Sequence, residues 1–573
     1  TVGNSTTINV SMVEDTSKLD EVVIVGYGSQ KRSDLTGAIS SLSGTGLDKL
    51  QVSDPSQLLM GRMTGVRIES VGGSPGAASN IVVRGVSSLS NSNPLFVIDG
   101  MFTDSMDFLN PSDIKSIQVL KDASAAAIYG SRAANGVVII TTNTGKGSDG
   151  VSVDLEVSTG FQSQIKKLDW LSGSEYADLR NAFTIANTPD GQVPDLLPGY
   201  NENLDRSVST ITDDIAISDA PVTNMSAKVY GTAGIVNFNI SANWLDQDGI
   251  IVASDFDRKT FRTNLGLEKG KLKISQSFTV STTYTNRNTL WNLQSMIPTI
   301  PFRNPDNEGG FGGPTELEHG FDGNNFVGKS ILQDRHFTND NLLGNLNLSY
   351  EFIEGLTANL NIGVQNTRTS NYTYTPSFFI SPALAANSLD AELIDRTGNY
   401  VNLLGELTVN YKKLFNSHSI EALGGFTSQK TTDTRAVTWV SDFPSNDIRQ
   451  VSAANNILQI GGTETVSTLR SVFGRLNYNY DEKYYLSATI RRDGSSRFAE
   501  DNRFGVFPSV SAAWTISNEN FLKDSNTVNN LKLRASYGEL GAQNIGDYAF
   551  IPVLNINSDA VVGTGQGRVP GIS

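Results

Sequence analysis

The chain has 573 residues, of which none is cysteine, three are histidine and seven are methionine. The missing thiol excludes disulfides, thiolate zinc sites and cysteine nucleophiles. The histidines, His319, His336 and His418, lie far apart, so neither a histidine metal site nor a Ser/His/Asp arrangement has material to build on. Basic residues are in short supply: 44 Lys and Arg against 59 Asp and Glu leave a net charge of −15. That balance argues against nucleic acid as the main partner, because a phosphate backbone calls for a basic stripe. No apolar run approaches the ~18–20 residues of a membrane-spanning helix; those present are short, such as Val22-Val23-Ile24-Val25 and Val137-Val138-Ile139-Ile140. The start, Thr1-Val2-Gly3-Asn4, has neither the basic residues nor the apolar core of a signal peptide. With 38% apolar residues and a mean hydropathy of −0.20, the averages suggest a soluble acidic protein. A β-barrel escapes such averages, since its strands of ~10 residues alternate apolar and polar.

What is present falls into two textures. From 35 to about 145 the chain mixes helix and strand. A short helix is expected from Pro55 to Met60, strands at Val82–Val86, Leu95–Ile98, Ile114–Leu120 and Gly136–Thr142, and a short helix at Ala123–Tyr129. An Asp99-Gly100 turn closes the second of those strands. From about 150 onward, alternation with a period of two takes over. Val236, Phe238, Ile240, Ala242 and Trp244 alternate with Asn237, Asn239, Ser241 and Asn243, and the same rhythm runs through 345–365 and 476–490. A large soluble β-sandwich or propeller would also alternate. Two details favour a membrane barrel. The polar face is Asn, Ser, Thr and Arg, the chemistry of a wet lumen. Short turns near 232–235, 268–271, 353–355, 412–417 and 481–483 also alternate with much longer connections, as at 163–222, 285–340, 366–399 and 430–465. Tyr478, Tyr480, Tyr484 and Tyr485 crowd one short turn, as an interfacial aromatic girdle would. The count is 13 or 14 strands.

Few motifs carry chemistry. Val22–Gly28 has the look of a dinucleotide strand and glycine turn, but Lys31 stands where the third glycine belongs. Gly145-Lys146-Gly147 lacks the rest of a P-loop, and Asp246-Gln247-Asp248-Gly249 lacks the distal ligands of a calcium loop. No enzyme, cofactor or metal is expected. Leu19–Gly28 is different: an acidic lead-in, a β-prone run and a polar linker suit pairing with a partner's sheet edge. The plain alternative is an edge strand of the small domain.

Here the residues carry a specific resemblance. Asp20-Glu21-Val22-Val23-Ile24-Val25-Gly26-Tyr27-Gly28, followed by Gln30–Ala38, resembles the TonB box and the start of the plug in SusC/RagA-type TonB-linked outer-membrane transporters of Bacteroidota. Four plug segments agree: Leu58–Val66, Val83–Leu89, Pro94–Gly100 and Val119–Gly136. Weaker similarity runs on through Leu245–Ile250, Arg492–Phe498, Phe507–Trp514 and Leu533–Gly538.

The resemblance implies a transmembrane β-barrel with an α/β plug domain inside its lumen. The divisions it suggests are 1–18, the end of a carboxypeptidase-regulatory-like extension (with Ile8-Asn9-Val10 its last strand); 19–34, TonB box and linker; 35–147, plug; and 148–573, barrel. The family barrel has 22 strands, so about eight are expected beyond Ser573. It implies active import of a large nutrient, an oligosaccharide or a peptide, under a SusD-like surface lipoprotein. TonB, energised with ExbB and ExbD, would pull on Asp20, Glu21, Val22, Val23, Ile24 and Val25 from the periplasm. Outer-membrane lipid and lipopolysaccharide surround the barrel, and a dimer of SusC–SusD pairs or a larger complex is possible for the family. A structural subunit of such a complex, and a siderophore- or vitamin-type transporter, stay open as alternatives.

In the plug, Gly85, Gly100, Gly130 and Gly136 are expected to serve turns. Arg84, Asp99, Lys121 and Arg132 are expected to hold the plug to the barrel wall, and Asp122, Tyr129 and Asn135 belong to the same motifs. Trp291, Phe302, Phe311, Phe321 and Trp439, on long loops, either stack on sugar or peptide groups or pack against the lid and other loops.

Overall fold

The computed structural model describes residues 22–31, 34–43, 52–70, 72–85, 93–148, 150–166, 171–194, 196, 216–217, 219–286, 303–313, 325–380, 387–523, 525, 527–552, 558–562 and 567–571. Residues 1–18, Asp20, Glu21, Val86–Leu89, Trp291, Phe302 and Phe321 lie outside them.

A two-stranded hairpin comes first, β1 (Val22–Val25) with β2 (Gly28–Lys31). A small mixed sheet follows, in the order β3 (Ile39–Ser43), β8 (Ile114–Leu120), β9 (Val137–Thr142), β6 (Leu95–Ile98) and β7 (Met101–Thr103). Only β6 and β9 in it run parallel, across a crossover that holds the helical segment after Asp122. A separate hairpin pairs β4 (Val66–Ser70) with β5 (Ser79–Val83). The β6–β7 turn is Asp99-Gly100, with both residues at positive φ (48° and 94°), the geometry whose twist matches the flanking strands. The expected strand to Val86 ends instead at Val83, because Arg84 and Gly85 turn the chain at φ 62° and 130°. The expected helix at Ala123–Tyr129 is one α-helical turn, Ala123–Ala126, capped by the Asp122 carboxylate on the Ala125 N–H (2.9 Å), and then a 3₁₀ stretch to Arg132.

A separate hairpin pairs Ser558–Val562 with Gly567–Gly571, and between Val151 and Gly538 the strands build one antiparallel sheet of 13, each paired with its sequence neighbours. They are β10 (Val151–Gln162), β11 (Ala220–Ala233), β12 (Val236–Asp248), β13 (Asp255–Lys269), β14 (Leu272–Asn286), β15 (Asp334–Ile353), β16 (Leu356–Thr375), β17 (Glu392–Phe415), β18 (His418–Ser441), β19 (Asn456–Tyr480), β20 (Tyr484–Ser495), β21 (Phe504–Thr515) and β22 (Lys532–Gly538). Strict alternation decides which way each side chain faces. Along β12, Asn239, Ser241, Asn243 and Gln247 are buried while Ile240 and Trp244 are exposed. An apolar exterior around a polar, filled interior is the inverse of a soluble protein and the arrangement of a membrane barrel.

The interior is filled by the small sheet. Ile98, Met101, Leu109, Ile117, Val119, Leu120, Val137 and Ile140 are fully buried, and the same cluster takes in Leu343, Leu404, Leu423 and Phe473 of the wall. On the outside, near the short turns, Phe415, His418, Tyr480, Tyr484 and Trp514 stack in succession at centroid distances of 5.3, 4.8, 6.3 and 6.3 Å. The Glu519 carboxylate accepts from the Tyr484 hydroxyl (2.7 Å) and the Trp514 indole (3.0 Å) at its end. Of the four crowded tyrosines, Tyr478, Tyr480 and Tyr484 belong to this outer belt. Tyr485 corrects the expectation: Tyr480 pairs directly with Tyr484, so the next residue faces inward, and Tyr485 is buried.

Candidate functional site

The wall grips the plug through polar side chains that take the place of water inside the lumen. Three arginines, Arg258, Arg262 and Arg491, are among the largest fully buried side chains. Each sits at a lumen-facing position of its strand, flanked on that face by Phe256 and Thr260, by Thr260 and Asn264, and by Thr489 and Asp493 respectively. Arg258 donates to the carbonyls of Ser53 (2.9 Å) and Asp107 (2.7 Å). Arg262 pairs with the Asp99 carboxylate and donates to Thr142 Oγ1 (2.7 Å). Arg491 donates to the Ile128 carbonyl (2.6 Å) and to Asp493 (2.6 Å), whose other oxygen accepts the Ser131 N–H (2.7 Å). Three wall asparagines donate to carbonyls of the β6–β7 hairpin: Asn345 to Asp99 and Asn361 to Gly100 (each 3.2 Å), and Asn402 to Phe102 (3.1 Å). Charge-assisted bonds in a dehydrated seat are stronger than neutral ones.

Gly130 shows how close the fit is. Its φ is +61°, and a Cβ there would lie 2.2 Å from Asp493 Oδ2 and 2.6 Å from Arg491 Nε. Gly136, at φ +87°, would press a Cβ to 3.1 Å from Val83. Only glycine suits both demands.

Beneath this seat lies the first hairpin. Its tip, Gly26-Tyr27, is wedged between the plug and the wall. The Tyr27 ring stacks on Phe473 (4.5 Å) and Tyr129 (6.0 Å), and its hydroxyl donates to Glu406 Oε1 (2.9 Å). Burial, then the Glu406 charge, push the Tyr27 phenol up to about 12. Tyr129 in turn meets Phe102 edge-on (6.2 Å), and the Arg132 guanidinium lies over the Phe102 ring (3.7 Å) while donating to Gln429 (2.7 Å). Arg132, Phe102, Asp104 and the wall residues Tyr400, Gln429 and Arg497 line a polar cavity of about 180 Å³. Tyr400 is shared with a wider hollow of about 720 Å³ along the wall, lined by Thr367 and Asn371 and by the exposed Arg396 and Arg435. A continuous chain of contacts therefore links a lumen cavity to the hairpin that carries Val22–Val25.

The family described as TonB-dependent Receptor Plug Domain matches residues 31–137. The one described as TonB dependent receptor-like, beta-barrel, matches 298–567. The TonB-dependent receptor SusC of Bacteroides thetaiotaomicron is 31% identical across 96% of this chain and 56% of its own length. The chain belongs to the SusC-type TonB-dependent receptors. TonB-dependent receptor P26 of Formosa agariphila is 34% identical across 96% of this chain and 55% of its own. The chain thus spans little more than half the length of the curated relatives it matches. Among solved structures, the RagAB peptide importer in its open-open state superposes with a TM-score of 0.79 at 23% identity, covering 96% of this chain and 64% of that one. The ferric preacinetobactin receptor BauA of Acinetobacter baumannii reaches 0.53 at 11%, covering 87% and 64%. The fold is therefore that of an outer-membrane receptor barrel with its plug, and the relatives are receptors and transporters rather than enzymes.

Within this receptor, the residues singled out by sequence are placed as follows. Asp99 and Arg132 meet the wall, through Arg262 and Gln429. Lys121 does not: its ammonium donates to Ser40 Oγ (2.6 Å) and the Thr64 carbonyl (2.5 Å), all within the plug. Burial, then the Arg84 charge, pull it below its usual value. Arg84 is exposed at its positive-φ turn. Asn135 donates to the Asn93 carbonyl (3.1 Å), pinning two plug segments together. Phe311 is buried with Val327, Phe378 and Ile380, so it cements three outer loops and presents no face to a ligand. Trp439 sits on β18 rather than on a loop, since the strand runs on to Ser441. Sequence reasoning missed Tyr27, Glu406, Phe473 and the three buried arginines. The available signal was arginine at the lumen-facing parity of an alternating strand.

Proposed function

We propose that the receptor imports a large nutrient, an oligosaccharide or a peptide, across the outer membrane under TonB control, with a SusD-like lipoprotein closing the outer mouth. The observation that carries this reading is the closed gate with a handle attached. The plug fills the lumen and is held by buried charge, while β1 is drawn under it through Tyr27. An outer membrane offers no ATP and no ion gradient, so work has to arrive through a partner. Residues 20–25 form the β-prone segment on which TonB would add a strand. Cargo settling in the cavity beside Arg132 and Tyr400 would shift Phe102 and Tyr129, and so loosen Tyr27. We divide the chain as 1–18 extension, 19–34 box and linker, 35–147 plug and 148–573 barrel.

Titration calorimetry of the purified receptor against the TonB C-terminal domain tests the handle. Binding is expected for the intact chain and lost when residues 20–25 are deleted. Equal binding by both forms would refute the assignment.

A further inference from the structure

The exterior of the barrel is not uniform at the upper rim of its apolar band. On β16, β18, β19 and β20 the first charged residues above that band are Arg368, Lys430, Arg470 and Arg492, all exposed and all of outward parity. Register shows that they form a row. Lys430 pairs with Thr468, two residues from Arg470, and Arg470 pairs with Gly494, two residues from Arg492. Arg368 faces Asn399, which faces Thr434, four residues and two strands from Lys430. The step is two residues per strand, always toward the short turns. Those turns descend in the same direction: Leu356 pairs with Tyr411, four residues before β17 ends at Phe415. A stagger of that hand is what strand tilt imposes; at ~40° a level line would step about 1.2 residues per strand, so the row descends by only about 2 Å per strand. Arg470 stands ten residues from Tyr480 of the aromatic belt. That is about 33 Å of strand and roughly 25 Å of height at a tilt of ~40°, the depth of an outer-membrane apolar band.

The surroundings leave these cations available. No salt bridge joins any of the four to a carboxylate among the described residues. Asp340 lies opposite Arg368 and is engaged by Thr282 (2.7 Å), while Asp395 and Glu464 stand higher on the same face. Arg492 rests on the Phe504 ring (4.4 Å). Beyond β14 and β15 acid predominates: Asp246 faces Asp257 and Asp248 faces Asp255 on β12–β13, at outward parity, and the one lysine among them, Lys259, is paired with Asp257 (3.0 Å).

We propose that the outer face of β16–β20 is a docking surface for the phosphorylated headgroup of the outer-leaflet glycolipid, lipid A, with acyl chains lying on Ile362, Phe426, Val472 and Ile490. The occupant follows from charge complementarity: a row of four cations directly above an apolar wall matches an amphiphile whose phosphates sit at the top of its chains. The sector rests on the outer-membrane placement of the barrel and is independent of transport. Native mass spectrometry of the detergent-purified receptor, titrated with lipid A and with phosphatase-treated lipid A, tests it. The variant R368Q/K430Q/R470Q/R492Q is expected to retain at least about tenfold less lipid A, and dephosphorylation to cause a similar loss in the parent. D246N/D248N/D255N/D257N is expected to retain as much as the parent. Unchanged retention in the basic variant, or indifference to dephosphorylation, would overturn the proposal. If the fourfold change prevents folding, judged by heat-modified gel mobility, the single changes K430Q and R470Q carry the same comparison.

Discussion

Asp99 and Arg262 show at the scale of one residue how the plug is held. Arg262 is buried and the Asp99 side chain is only 17% exposed, and Thr142, Asn264 and Ser277 complete their hydrogen bonding. Removing one partner leaves a charge dehydrated and alone, which costs about 3–5 kcal/mol. Asp99→Ala is therefore expected to let the plug leave the barrel at markedly lower urea, read as the onset of conductance in planar bilayers. Gly130→Ala adds a methyl group where Asp493 and Arg491 already stand, at a φ that favours glycine. It is expected to loosen the plug by about 2 kcal/mol or more, and Gly61→Ala, with no atom near its Cβ, by less. At this scale the sequence was half legible. Glycine and Asp-Gly positions announced their turns, because backbone strain is local. The partners of Asp99 and Ser131 lay 163 and 362 positions away, and no local pattern names a partner at that distance.

Elements were the most legible scale. Period-two alternation located the strands, since one face meets lipid and the other a polar filling. It failed where the strands leave the membrane. Connections expected at 366–399 and 430–465 are largely strand, with β16 running to Thr375 and β19 starting at Asn456. Above the apolar band both faces are polar, so the rhythm disappears although the hydrogen-bond ladder continues. The hairpin of β1 and β2 was legible as a strand but not as a docked one, because Tyr27 is anchored by Glu406, Phe473 and Tyr129 from three distant segments. Its docking should depend on pH. Below pH 10 the phenol is protonated whether docked or free, so docking keeps its full strength. Between pH 10 and about 12 only the released phenol ionises, and docking weakens. A spin label on a single cysteine at position 25, in a chain with no native thiol, should gain mobility across that interval. Tyr27→Phe should be mobile at neutral pH and show no such step.

For the whole molecule, length and average hydropathy misled, while periodicity and the plug motifs led to the family. An average cannot register a surface that is apolar on the outside and polar within. On the reading proposed above, the receptor is a gate held shut by buried charge, with a segment beneath it on which force acts. One experiment tests that claim directly. Cells producing the complete receptor, with or without residues 20–25, are compared with cells lacking it for growth on a panel of oligosaccharides and peptides. The account predicts that removing 20–25 equals removing the receptor on every nutrient that requires it. Growth indistinguishable from the intact receptor on such a nutrient would contradict it.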